Sequence, residues 1–342
     1  MNSYRKILIF VILLTMLASG CSNQTSPPAT PTSPPPTPTS PPPTPTTPPI
    51  TQIVAFGDDW ADNGNSFRIT KKDVENKVPK ADFIPPIDLY WEGRFSNGPM
   101  PVEVMAQRLQ AKLTSYAVNG ALSGSGAGDG WGTITKGERP DSGLLYTGLL
   151  DQVTQFEKEL NGKKADPEAL YFVFNSTGND FFWGVDLFNF SFPGLASIPD
   201  LANESLSNVQ TAVTQLSELG AKRFFVVNTV DQMTMPYYVA NPNKDLSSFH
   251  TLYLSQLPIK MADLAKKLNI EITVFDYQAI SDRIRSDLQK YGLKNLTDPC
   301  LADYWATTAC KNPDEYFYYD PFHPTRVVLR VIGEAMAAAY GK

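Results

Sequence analysis

The chain has 342 residues, with 29 Lys and Arg against 35 Asp and Glu, for a formal net charge of −6. That mild acidity, with no basic cluster beyond Arg5 and Lys6 near the start, argues against a nucleic-acid partner and against electrostatic docking on a membrane surface. Two histidines and three cysteines leave few candidates for a general base, a disulfide or a metal site.

Residues 1–21 open with Arg5 and Lys6, continue through the apolar run Ile7–Leu17 and end in small residues and a cysteine, Leu17-Ala-Ser-Gly-Cys21. A basic start, a short apolar stretch and a small-residue cleavage site describe an export signal, and the run is too short for a comfortable membrane span. The cysteine directly after Gly20 makes the segment look like a bacterial lipoprotein signal, with Cys21 as the lipidated new N-terminus. Ala18 stands where a branched apolar residue is commoner. Residues 22–50 are almost entirely Pro, Thr and Ser. Such a segment builds no core and favours extended polyproline II, a tether able to hold a domain up to roughly 90 Å from the membrane at ~3.1 Å per residue.

From 51 to 342 the composition is that of one globular domain. Strand-like runs fall near 52–56, 113–118, 169–175, 222–228 and 270–276, and helical patterns cover 101–111, 146–160, 201–219, 247–268, 277–290 and 324–340. That alternation predicts an α/β fold, a parallel five-stranded sheet covered by helices on both faces. Cys300 and Cys310 lie ten apart in a loop of an exported chain, where a disulfide is the default. Two cysteines and a distant histidine are too few ligands for a metal site.

The richest stretch is Ile53-Val-Ala-Phe-Gly-Asp-Asp-Trp-Ala-Asp-Asn-Gly-Asn65, a short β-type run breaking at Gly57 into a polar turn. It resembles the nucleophile block of the GDSL or SGNH hydrolases, usually Phe-Gly-Asp-Ser-Leu/Trp-Ser-Asp-Asn-Gly-Asn, with Asp59 where the family has its nucleophilic serine and Ala61 in place of its second serine. Four further blocks follow in family order. Ser115-Tyr-Ala-Val-Asn-Gly-Ala121 carries Gly120, whose N–H the resemblance places in an oxyanion hole. Ser176-Thr-Gly-Asn-Asp180 carries Asn179 as the second donor, with Thr177 replacing the family's glycine. Tyr319-Asp-Pro-Phe-His-Pro-Thr325 carries His323 as general base and Asp320 as its orienting partner, with Pro324 at the start of the last helix. Gly93-Arg-Phe-Ser-Asn-Gly-Pro99 is similar to a stretch of the lipase and thermolabile-haemolysin branch, which continues to a tryptophan where this chain has Pro101. The resemblance spans nearly all of 52–340 and implies a three-layer α/β/α fold, a lipid or carboxylic ester as ligand, and no cofactor. His250 reads as a helix-surface residue. The aromatic run Phe181–Phe192 reads equally as an acyl pocket or lid and as core.

A carboxylate at position 59 changes the chemistry. Attack by Asp59 on an ester would give a mixed anhydride, higher in energy than the ester, and would set a negative charge beside the forming oxyanion. Three readings follow. In the first, the protein binds a lipid, acyl or glycan ligand without cleaving it, and Asp59 itself fills the hole and pairs with protonated His323. In the second, Asp59 or His323 activates a water against an ester. In the third, Asp59 attacks an sp³ carbon, a phosphoryl or a glycosyl centre. Were Asp59 an introduced replacement, the natural protein would be an exported serine esterase or lipase.

Overall fold

The computed structural model describes residues 49–78, 81–126, 144, 146–182, 197–303 and 306–341. The export signal with Cys21, the tether up to residue 48, and positions 183–192 of the aromatic run lie outside the described residues. Residues Thr47–Lys342 form one compact unit. Ile50, assigned to the tether by composition, is only 4% exposed and belongs to the hydrophobic core.

Five strands, β1 (Gln52–Gly57), β2 (Lys112–Ser115), β3 (Leu170–Phe174), β4 (Arg223–Val227) and β5 (Glu271–Phe275), form a sheet in the order β2-β1-β3-β4-β5. All four pairings are parallel. The central strands are apolar at nearly every position because helices cover both faces. Each residue of Leu170-Tyr-Phe-Val-Phe174 is buried.

Alternation along the strands sorts the core into two layers. Ile53, Ala55, Phe172, Phe225 and Val227 pack with α2 (Pro101–Leu109), α8 (Tyr277–Ser286) and α9 (Arg326–Tyr340). Val54, Phe56, Tyr171, Val173 and Phe224 face α3 (Leu149–Leu160), α5 (Ile198–Leu219) and α7 (Lys244–Leu268). The expected three-layer α/β/α architecture is the observed one, with strand and helix limits shifted by a few residues.

Other elements had no counterpart in the sequence reading. Helix α1 (Asn65–Glu75) buries Ser66, Thr70 and Asp73, so its inward face carries no apolar periodicity. Two short helices, α4 (Gly178–Phe181) and α6 (Pro236–Ala240), sit in loops, and β6 (Asn295–Pro299) pairs with β7 (Tyr316–Tyr318) in a separate two-stranded sheet. His250 corrects the surface reading: it is 3% exposed on α7, and its Nε2 lies 3.1 Å from Gln278 Oε1.

Cys300 and Cys310 are joined by a disulfide across ten positions. Closing a loop of that length removes unfolded-state freedom worth about 2–3 kcal/mol. Reduction is therefore expected to lower the unfolding free energy by that much, read by comparing urea unfolding curves with and without dithiothreitol.

Candidate active site

The site is assembled at the carboxyl edge of the sheet, where open α/β folds leave a crevice. β1 ends at Gly57, whose φ of +144° turns the chain away from the strand. The three acids that follow take separate positions. Asp58 is fully buried and accepts hydrogen bonds from the Ser176 N–H (2.7 Å), the Ser176 hydroxyl (2.6 Å) and the Trp60 N–H (3.2 Å), tying the turn to the loop after β3. Asp62 accepts from the N–H groups of Gly64 (2.8 Å), Asn65 (2.5 Å) and Ser66 (3.1 Å) at the head of α1, and from Asn119 N–H (3.0 Å) in the loop after β2. A carboxylate among the free N–H groups of a helix start is in its favoured place. Only Asp59 of the three lines the cavity above the sheet.

His323 comes from the loop between β7 and α9. Asp320 receives its Nδ1 at 2.8 and 3.0 Å, the backbone N–H groups of Phe322 (2.8 Å) and His323 (2.7 Å), and the Tyr90 hydroxyl (2.9 Å). That fixes the imidazole with Nε2 outward. Phe95 and Trp60 flank the ring with centroids at 5.3 and 5.6 Å. The Gly93–Pro99 block braces this loop: Ser96 donates to Pro324 O (2.8 Å), and Asn97 accepts the Arg326 N–H (2.8 Å). Pro324 itself lies two residues ahead of α9, whose N-cap is Thr325, so it precedes the helix instead of starting it.

The sequence-derived residues converge. Asp59 Oδ2 is 2.8 Å from His323 Nε2, and Asp59 Oδ1 accepts from Asn179 Nδ2 at 2.7 Å and from Gly120 N–H at 3.5 Å. Burial pushes the Asp59 carboxyl up, but the bond to His323, its charge and the Asn179 amide outweigh this and hold it below the usual carboxylate range. Burial pushes His323 down, while the charge and bond of Asp320 and then those of Asp59 raise it to about 10. Asp58 is held well above the carboxylate range, first by burial and then by the charge of Asp59, which favours a single charge in this pair.

His323 is thus expected to stay protonated through neutral pH and to lose its proton near 10, in an NMR titration of the ring nitrogens. A midpoint near 6.5, the unperturbed value, would contradict the pairing. Because the folded value is raised, this group's contribution to stability is full below about 6.5 and is lost as pH rises through about 10. The lowered Asp59 contributes above the ordinary carboxylate range, and that contribution fades as pH falls through its folded value.

The cavity has a volume of about 300 Å³ and is walled mainly by Trp60, Ile84, Phe182, Met235, Tyr238 and Phe322, with Asp59, Asn179 and His323 at its polar end. The aromatic run divides where it is described: Phe181 is core, packed on Phe249 at 5.4 Å, and Phe182 lines the cavity. Thr177 adopts φ +61°, the left-handed conformation a glycine takes at little cost. The loop therefore keeps its bend at a backbone penalty of about 1–2 kcal/mol. Tyr90 and Gln232 belong to the site and had no sequence signal, since each is a single polar residue outside any block, and Ser176 lies in the Asn179 block but had no role assigned to it. Such a constellation supplies an ion pair, two donors aimed at one oxygen and an apolar chamber.

Comparison with known proteins places the chain. A family described as GDSL-like Lipase/Acylhydrolase matches residues 53–336. The thermolabile hemolysin of Vibrio parahaemolyticus is 24% identical over 302 residues, covering 84% of this chain but 63% of that protein. A GDSL esterase/lipase of Arabidopsis thaliana is 23% identical over 331 residues, covering 82% of this chain and 87% of its own length. Among solved structures, an aryl esterase of M. smegmatis aligns with a TM-score of 0.41 at 14% identity, covering 84% of this chain and 97% of the other. With family blocks at the ends of β1, β2 and β3 and ahead of α9, and a match running from β1 into α9, this chain belongs to the GDSL-like lipase/acylhydrolase family.

Proposed function

We propose that the protein is a ligand-binding member of its family that holds an acyl or lipid-type ligand in the cavity without cleaving its ester. The observation that carries this reading is the place of Asp59 Oδ1. It already accepts the Asn179 amide at 2.7 Å and points to the Gly120 N–H at 3.5 Å, the donors a tetrahedral oxyanion would need. The other oxygen is tied to His323. With both of its nitrogens facing carboxylates, the imidazole is a proton donor and has no free lone pair with which to act as base. The serine route is closed because its nucleophile is missing, its hole is filled and its base is spent.

Asp59 is proposed to occupy the nucleophile position, His323 and Asp320 the base and orienting positions, and Gly120 and Asn179 the hole. Export, lipidation at Cys21 and a surface tether over 22–50 belong to the same reading and rest on the sequence of that region. None of the helices among the described residues is long and apolar enough to cross a membrane. The partners would be a small lipid or ester molecule and the membrane, with no nucleic acid.

Equilibrium dialysis of the protein against octanoate tests binding, and p-nitrophenyl butyrate tests turnover. Saturable binding of octanoate with no nitrophenol release above buffer is expected. Release by the parent that disappears in His323→Gln would instead establish His323-dependent water attack on the ester and overturn the binding role.

A further inference from the structure

The same array that blocks ester hydrolysis is arranged for another electrophile. A carboxylate gains nothing by attacking an acyl carbon, but at a strained sp³ carbon it forms a stable alkyl ester, splitting a difficult displacement into two easier steps. Asp59 has one oxygen pinned in the hole by Asn179 and Gly120 and the other directed at His323 Nε2, 2.8 Å away. The Asp59 side chain is 10% exposed and lines the cavity. His323 sits between two carboxylates with each ring nitrogen 2.8 Å from an oxygen, so both nitrogens carry hydrogens.

We propose that the Asp59–His323–Asp320 array hydrates epoxides bearing an apolar substituent, with Asp59 Oδ2 as the nucleophile, His323 as the acid and then the base, and water as the second substrate. This goes beyond the binding role and shares with it the ion pair and the filled hole. In the first step an Oδ2 lone pair forms a bond to an epoxide carbon. The carbon–oxygen bond of the ring breaks, and its electron pair stays on the ring oxygen, which takes the Nε2 proton. This leaves a 2-hydroxyalkyl ester of Asp59 and a neutral imidazole still held at Nδ1 by Asp320. In the second step Nε2 takes a proton from water as the water oxygen adds to Asp59 Cγ. The negative charge then develops on Oδ1, the oxygen already facing Asn179 and Gly120. Collapse breaks the alkyl ester bond, and the diol oxygen leaves with the Nε2 proton. The carboxylic acid so formed returns its proton to Nε2 and restores the ion pair. The sum is epoxide plus water to diol.

Charge selects this class over alkyl halides. A departing halide takes no proton, so the imidazolium would lack the base form that the second step needs. A departing epoxide oxygen needs a proton, and His323 holds one in place. The apolar walls of the cavity, about 300 Å³ in all, suit a phenyl or short alkyl substituent.

The test incubates the full-length protein, in excess, with styrene oxide or 1,2-epoxyhexane in oxygen-18 water. Expected results are diol above the buffer rate, no heavy oxygen in first-turnover diol, and the label in the peptide bearing Asp59. Asp59→Ser should make no diol, and His323→Gln should be slower by about 10²–10⁴-fold, the usual weight of a general acid or base. Absence of diol with both epoxides, or first-turnover diol carrying the label, would overturn the proposal. Either failure leaves the binding role standing, because that role is tested separately, by octanoate dialysis and by nitrophenol release from an ester.

Discussion

Asp59→Ser is expected to hydrolyse p-nitrophenyl esters about 10³-fold or more faster than the parent, since removing the nucleophile from a comparable triad costs up to about 10⁶-fold in turnover. Three changes follow from the one substitution. The hole empties, because the oxygen now accepting from Asn179 at 2.7 Å and facing Gly120 at 3.5 Å is gone, and the donors become free for a substrate carbonyl. His323 loses the second of its two anionic neighbours, so its proton is held less tightly and a base form becomes available. Asp320 keeps the ring oriented, as its bonds from Tyr90, Phe322 N–H and His323 N–H do not involve position 59. One geometric cost remains: the serine oxygen is one bond closer to the backbone than Oδ2, so the ring must follow it by roughly a bond length to stay in contact. Initial rates on acetate, butyrate and octanoate esters read the outcome and the chain-length preference together. If the variant stays at the parent's rate, Asp59 is not what silences the site, and the Thr177 bend becomes the next residue to change.

The parts of the site that were legible in the sequence are those whose chemistry is written locally. Asp59, Asn179, Gly120 and the Asp320–His323 pair each lie in a short block at a strand end or ahead of a helix, and parallel α/β topology brings such ends together. The central strands β1, β3 and β4 were legible because burial on both faces leaves a nearly continuous apolar run, as in Leu170–Phe174. What escaped depends on partners far away in the chain. Helix α1 turns Ser66, Thr70 and Asp73 inward, with Ser66 bonded to Asp62 and Thr70 to the Ser66 carbonyl, so hydrophobic periodicity had nothing to report. Tyr90 supports Asp320 from 230 positions away. His250 is buried because Gln278, from the helix after β5, meets its Nε2, and nothing local distinguishes it from an exposed polar residue. Strands β6 and β7 are short and carry partly exposed residues, so neither gives the apolar run of a central strand.

Gly57→Ala is expected to be the most damaging glycine-to-alanine change among the described residues, lowering stability by about 3–5 kcal/mol, in the range reserved for severe core lesions. A β-carbon at Gly57 would lie 1.9 Å from the carbonyl oxygen of Phe174 and 2.7 Å from its carbonyl carbon, so the contact is with backbone and not with a side chain that can swing away. The two residues face each other in the β1–β3 register. The same Phe174 oxygen accepts the Asp58 N–H at 3.2 Å, so retreating from the new methyl pulls on the turn that carries Asp58 and Asp59. Gln152 closes the other escape, donating to Gly57 O and accepting from Gly57 N–H, both at 2.8 Å. The φ of +144° adds backbone strain for any residue with a side chain. Gly162→Ala is the matched control: φ is +79°, but no atom lies within 4 Å of the added carbon, so only the backbone penalty of about 1–2 kcal/mol applies. Urea midpoints of the two variants separate the terms. A large gap assigns the cost to the collision with β3, and equal losses would mean that the strand pair gives way and that conformational strain alone keeps glycine at this turn.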